Sequence, residues 1–176
     1  KPGPQNTMDT INLAVTRGHE LGIKHMVVAS CSGTTALELV NQGFEITCVT
    51  HHVGFAEPGQ DEMSPENRQK LADLGIKVLT TTHLLAGVDR AVRNHFGGVY
   101  PAEIIAQTLR MFGQGVKVGI EIACMAKDAG MIPHEAEVIS IAGSARGADS
   151  AIVVLPAHSN NFFETQVREI ICMPRT

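Results

Sequence analysis

Short runs of aliphatic and β-branched residues recur along this chain, and what separates them decides the fold. The runs are His25 to Ala29, Phe44 to Thr50, Ile76 to Thr80, Glu137 to Ala142 and Ala151 to Pro156. They are apolar through most of their length rather than alternating, as strands buried on both faces require. Helical patterns stand between most of them, and strands alternating with helices build a parallel sheet with helices on each side. The expected fold class is α/β, as a three-layer α/β/α sandwich around a mostly parallel sheet. Val167 to Cys172 reads as one more strand. The last strands follow without intervening helices, so an antiparallel edge is expected.

Local punctuation sets the helices. Asn6 to Leu21 carries Ile11, Ala14, Val15, Gly18 and Leu21 on one face, with Asn6 or Thr7 as cap and Gly22 as stop. Thr35 and Glu38 form a capping-box pattern, which predicts a helix starting at Thr35 and running over Ala36 to Gln42. Ser64-Pro65-Glu66 opens another helix, which Gly75 ends. A helical region follows, broken at Gly97-Gly98, with Pro101 to Phe112 and Gly115 to Ala129 as its clearest pieces. Gly54 to Ser64 is the longest loop.

A length of 176 residues suits one domain, spanning residues 1–176. The net charge of −4, with no Lys/Arg cluster, lacks the footprint of a nucleic-acid binder. No apolar run reaches the roughly 18 residues of a membrane span, and Lys1-Pro2-Gly3-Pro4 lacks a signal-peptide core, so cytoplasmic residence is the expectation. Cys31, Cys48, Cys124 and Cys172 are scattered with no C-x-x-C pair, which favours free thiols over disulfides or zinc ligands. With no Trp and one Tyr, Tyr100, aromatic platforms for a ligand ring are few.

Two loops carry the chemistry. Ser30-Cys31-Ser32-Gly33-Thr34-Thr35 lies between a strand end and a helix start, where backbone N–H groups and the helix dipole favour an anion; a plain strand-to-helix turn is the alternative. Gly143-Ser144-Ala145-Arg146-Gly147-Ala148-Asp149-Ser150 links the fourth and fifth strands. Arg146 could pair with a phosphate through its planar fork, or extend into solvent from a wide hairpin.

In order and spacing, residues 6 to 156 resemble the C-terminal domain of pyruvate kinases, and more closely the small stand-alone proteins of that fold. The matching features are Ser30-Cys31-Ser32-Gly33-Thr34-Thr35-Ala36 after the first strand, the apolar strand Ile46-Thr47-Cys48-Val49-Thr50, and the glycine turn Gly147-Ala148-Asp149-Ser150 into Ala151-Ile152-Val153-Val154. The resemblance implies a five-stranded sheet of order 3-2-1-4-5 with strand five antiparallel. It also implies a phosphate pocket between Ser30–Thr35 and Gly143–Ser150, since pyruvate kinases hold a sugar-phosphate effector in these loops. Pyruvate kinase activity itself is not expected, because the catalytic (β/α)₈ barrel needs about 200 residues or more.

Within that pocket Ser32, Gly33, Thr34 and Thr35 would supply phosphate hydrogen bonds, with Ser30 and Cys31 in the same loop. Gly143, Ser144, Arg146 and Gly147 would close the other side, and Thr50, His51 and Asp149 would meet the sugar-like portion. Cys31 and Thr34 stand where the family usually has a basic residue, which points to one phosphate rather than two. The ligand the resemblance associates with the stand-alone relatives is flavin mononucleotide (FMN), which would make this a flavoprotein. Gly33→Val is expected to abolish binding while leaving the fold largely intact.

His51 and His52 fall at the carboxyl end of strand two, where open α/β sheets bind ligands. Adjacent histidines on an extended segment point to opposite sides, and Glu57, Asp61 and His83 lack ligand spacing to them, so no metal is expected. A Cys-x₅-Arg phosphatase motif from Cys31 is excluded by Leu37. Gly113-Gln114-Gly115 reads as a helix–helix break. Lys117, Glu121 and Asp128 read as a solvated face, and Met111, Met125 and Met131 as core filler. Three functions remain open: binding of a phosphorylated small molecule, an enzyme on a phosphorylated metabolite with His51 or His52 as acid/base, or a regulatory module that assembles as a homo-oligomer.

Overall fold

The computed structural model describes residues 1–175. Its six strands are β1 (His25–Ala29), β2 (Glu45–Val49), β3 (Lys77–Leu79), β4 (Val138–Ala142), β5 (Ser150–Leu155) and β6 (Gln166–Cys172). They form one sheet of order β3-β2-β1-β4-β5-β6. β3, β2, β1 and β4 run parallel, while β5 and β6 are antiparallel to their neighbours. The expected order holds, and the last apolar run adds a sixth, edge strand.

The helices are α1 (Thr7–Leu21), α2 (Thr34–Leu37), α3 (Pro65–Asp73), α4 (Gly87–Phe96), α5 (Pro101–Arg110) and α6 (Gln114–Asp128). Strand periodicity divides the core in two. Met26 and Val28 of β1 point to the side of α1 and α3, where they join Ile11, Ala14, Leu71 and Cys48. Val27 points to α6, with Val49, Val116, Ile120, Ile152 and Val154. Each fully buried Val, Leu or Ile contributes roughly 1.5–3 kcal/mol, so both faces of the sheet hold the layers together. Outside α6 lies α5, and α4 packs on α5.

Three local expectations are corrected. First, α2 has four residues rather than seven, and the capping box does not form. Gly33, at φ +87°, is the residue before the helix, and the Thr35 N–H is taken by Ser30 Oγ at 3.2 Å. After Leu37 the chain tightens into turns that lead to Asn41, itself at φ +63°. Second, Lys117 and Glu121 are not solvated. They are 6% and 4% exposed and form an ion pair, because α5 and the segment after β3 cover that side of α6. Third, Met111 is exposed at 82%, whereas Met125 is buried as expected. The Gly113 break is confirmed, since the residue precedes α6 at φ +101°. All four cysteines are free, and among the described residues no helix is long and apolar enough to cross a membrane.

Candidate functional site

Parallel pairing brings four loops to one edge. Ala29 lies opposite Val49, Val49 opposite Leu79, and Val28 opposite Ile141. The chain therefore leaves β1 at Ser30, β2 at Thr50, β3 at Thr80 and β4 at Gly143 along a common carboxyl edge, where open α/β sheets gather ligand-binding residues.

The first loop is pinned from below and open at its tip. Buried Ser30 accepts the Thr35 N–H, and the Ser32 carbonyl accepts from Asn67 Nδ2 of α3 at 2.9 Å. The Ser32 and Thr34 hydroxyls lie 3.0 Å apart at the exposed end. Neither the Ser32 nor the Gly33 N–H donates to any described residue. With only four residues, α2 adds little macrodipole, so hydroxyls and N–H groups are what this loop offers an anion. Gly33 is required twice over: by its φ, and because a Cβ there would come within 2.9 Å of Leu71 Cδ1. Gly33→Val would thus strain the loop against α3, and it is not the clean binding probe that the sequence suggests.

The second loop is turned inward. Asp149 is 3% exposed, and its Oδ2 accepts the N–H groups of Gly3 and Ser144, each at 3.1 Å. Its Oδ1 accepts from Ser150 Oγ at 3.0 Å. The Ala148 N–H donates to Thr7 Oγ1 at 3.0 Å. A Cβ on Gly147, at φ +70°, would fall 2.4 Å from Thr7 Oγ1 and 2.8 Å from Pro4 Cα. Gly143 is equally closed in, since a Cβ there would meet the Gly147 carbonyl oxygen at 2.4 Å. Asp149 and Gly147 therefore serve the junction with the N-terminal segment, and Asp149 lies inside the fold rather than at its surface. Ser144 is half-buried, while Arg146 is exposed on the turn.

A cluster that spacing did not reveal occupies the ends of β1, β2 and β3. His51 Nδ1 lies 2.6 Å from Glu62 Oε2. The His51 ring stacks on Phe55 with centroids 3.8 Å apart, and the His83 ring lies 5.3 Å from that of His51 and 5.7 Å from that of His52. Thr50 and Thr80 share a hydroxyl hydrogen bond at 2.7 Å, and Arg68 reaches both Asp61 and Thr80, at 2.6 and 3.0 Å. Cys31 Sγ, His51 and a Glu62 oxygen lie within 4.8 Å of one another, a set of donors able to hold a metal. Imidazoles and Phe55 together build one aromatic platform here, which the Trp and Tyr content does not signal.

Electrostatics shape this cluster. Burial pushes the Cys31 thiol above its ordinary value, against the lowering effect of the His51 backbone N–H. Burial lowers His83, the nearby Glu121 opposes that, and His51 and His52 add to it. Glu121 is held in place by Lys117 and by the Leu85 N–H at 2.7 Å. Histidines after two neighbouring strands were a legible hint, but Glu62 sits in the long loop, where no periodicity places it.

Two cavities lie away from both glycine loops. One, of about 260 Å³, is bounded by Leu79, Thr82 and Leu84 against Met125 and Asp128. The other, of about 310 Å³, lies between α4 and α5 and is lined by Arg90, Arg93 and Arg110. At the carboxyl edge the chemistry comes from hydroxyl donors and stacked rings.

The family model of the pyruvate kinase alpha/beta domain matches residues 9–154. The chain belongs to that family. Among solved structures, a pyruvate kinase from Cryptosporidium parvum aligns over 82% of this chain and 22% of its own, at 15% identity and a TM-score of 0.42. The pyruvate kinase of the same organism in complex with ADP aligns over 94% and 23%, at 15% identity and a TM-score of 0.40. The chain thus spans less than a quarter of the length of those structures. Within this pyruvate kinase alpha/beta domain, the family match takes in both glycine loops and the histidine cluster, and it ends before β6.

Proposed function

We propose that this domain binds a phosphorylated small molecule at the carboxyl edge of its sheet. The observation that carries the reading is a juxtaposition: the open hydroxyl tip of Ser32 and Thr34 lies at the end of β1, beside the aromatic platform of His51, His52, Phe55 and His83 at the ends of β2 and β3. One end suits a phosphate and the other a ring. FMN has both, and it is the ligand that the family resemblance suggests. The flavin would carry any redox chemistry, and the protein would orient it.

The test is an absorbance scan of purified protein followed by calorimetric titration with FMN, riboflavin and inorganic phosphate. Micromolar FMN binding, on the order of −8 kcal/mol, with riboflavin far weaker, supports the reading. Equal affinity for FMN and riboflavin removes the phosphate site. Arg146→Ala should cost about 1.5–3 kcal/mol of that binding if the arginine makes a charge-assisted bond; no loss assigns it to solvent.

A second reading has its own support in the His51–Glu62 contact of 2.6 Å. A carboxylate on one imidazole nitrogen orients the ring and leaves the other to act as a base. This would make the domain an enzyme on a phosphorylated metabolite. Turnover of a sugar phosphate that is lost in His51→Gln, by colourless protein, favours this reading over flavin binding. The homo-oligomeric reading finds exposed apolar residues around α4 and α5 in Phe96, Val99, Ile104 and Met111, and size-exclusion chromatography without ligand tests it.

A further inference from the structure

We propose that Cys31 Sγ, His51 Nδ1 and a Glu62 carboxylate oxygen form a three-ligand site for a divalent transition metal of the zinc type. Its fourth position would be open toward solvent. This goes beyond phosphate binding and does not depend on it.

A ring nitrogen of His51, Cys31 Sγ and a Glu62 oxygen already lie within 4.8 Å of one another, and His51 Nδ1 is 2.6 Å from Glu62 Oε2. Tetrahedral zinc, with bonds of about 2.0–2.3 Å, holds its ligands about 3.3–3.7 Å apart, so small rotations of the side chains suffice. Sulfur, imidazole nitrogen and carboxylate oxygen together form a mixed set that suits zinc, whereas magnesium and calcium prefer oxygen alone. Three protein ligands with one open position is the arrangement of zinc sites that accept a further ligand.

Backbone next to each of the three residues is fixed. Ser30, before Cys31, is buried and its carbonyl accepts from Cys48 Sγ at 3.4 Å. Thr50, before His51, is buried and bonded to Thr80. Glu62 stands between Asp61 and Met63. Asp61 accepts the Met63 N–H at 2.9 Å and is clamped by Arg68, while the Met63 side chain is 2% exposed in the core. Phe55 stacks on the His51 ring and limits its rotation. Three loops thus converge on one point with their donors preset, and supporting partners of this kind raise metal affinity. Exposures of 34% for the His51 side chain and 31% for Glu62 leave an entry path. Binding replaces the Cys31 thiol proton with the metal, so one proton is released to solvent for each ion bound.

The test is a Co²⁺ titration of the full chain after chelator treatment, with no phosphorylated compound present. We expect saturation at one equivalent, a thiolate-to-cobalt charge-transfer band, displacement by Zn²⁺ and none by Mg²⁺. Cys31→Ser should lose the charge-transfer band. Glu62→Gln, a change on an exposed loop that leaves the far-ultraviolet circular dichroism unaltered, should weaken binding by more than the roughly 10–100-fold that loss of an outer partner costs. No saturable binding, or a band that survives both substitutions, overturns the site. FMN titration of the chelated protein tests the phosphate reading separately, so either can fail alone.

Discussion

The two glycine loops look alike in sequence and behave oppositely in structure. Both leave a strand at the carboxyl edge, both pair glycine with Ser or Thr, and both contain a glycine at positive φ, Gly33 and Gly147. In the first loop the hydroxyls of Ser32 and Thr34 remain at the surface. In the second, Asp149 draws in the N–H groups of Gly3 and Ser144, and Gly147 is pressed against Pro4 and Thr7. Glycine there serves a close approach of protein to protein rather than of protein to ligand. A glycine-rich loop is thus an anion site only if the fold leaves its donors unspent.

The contrast can be broken most directly by adding one carbon. Gly147→Ala should destabilise the fold by about 2–5 kcal/mol, from strain at positive φ together with overpacking on backbone. Gly33→Ala should cost less, about 1–3 kcal/mol, because the obstruction is the flexible end of Leu71. Urea denaturation of both variants checks the order, and a reversal would refute the inward assignment of the second loop.

Asp149→Ala strips the acceptor from three donors at once. Two or more buried donors left unpaired should cost about 2–4 kcal/mol, read in the same urea series. An unchanged midpoint would show that water replaces the carboxylate, and would return the second loop to the list of open sites. By contrast, Ser32→Ala and Thr34→Ala should alter stability by no more than about 0.5 kcal/mol. They should weaken binding of the phosphorylated ligand by about 1–2 kcal/mol, as calorimetry would show. The smallest effect is one of rate. Burial pushes Cys48 up to about 12 and Cys124 to about 11, so near pH 8 little of either is thiolate and both should label slowly. Cys31 and Cys172 are less buried and should label first. Protection of Cys31 alone by Zn²⁺ would sharpen the assignment of the metal site.

Much of the fold was legible because its signals are local. The runs ending at Ala29, Thr50, Thr80, Ala142 and Pro156 each announce a strand, although β3, at the sheet edge, is only half-buried, and Ser64-Pro65 announces its helix. The Ser64 hydroxyl does accept the Asn67 N–H, at 3.1 Å. The strand order came through the family resemblance, not through any periodicity. Local signals misled where a tertiary partner outbid them. Thr35 and Glu38 spell a cap, but Ser30 takes the Thr35 N–H. Lys117 and Glu121, four residues apart, spell a solvated pair, yet α6 is covered on both sides and the pair is buried.

By itself the sequence determined which segments are strands, and that β5 and β6 return with no α-helix between them. Only the tertiary structure decided that Cys31, His51, Glu62 and His83 share one corner while Asp149 faces inward. The reason is physical. Periodicity and capping act over a few residues, whereas Cys31 and Glu62 meet because parallel pairing sets β1 and β2 in register and the pinned Asp61–Met63 turn folds back over their ends.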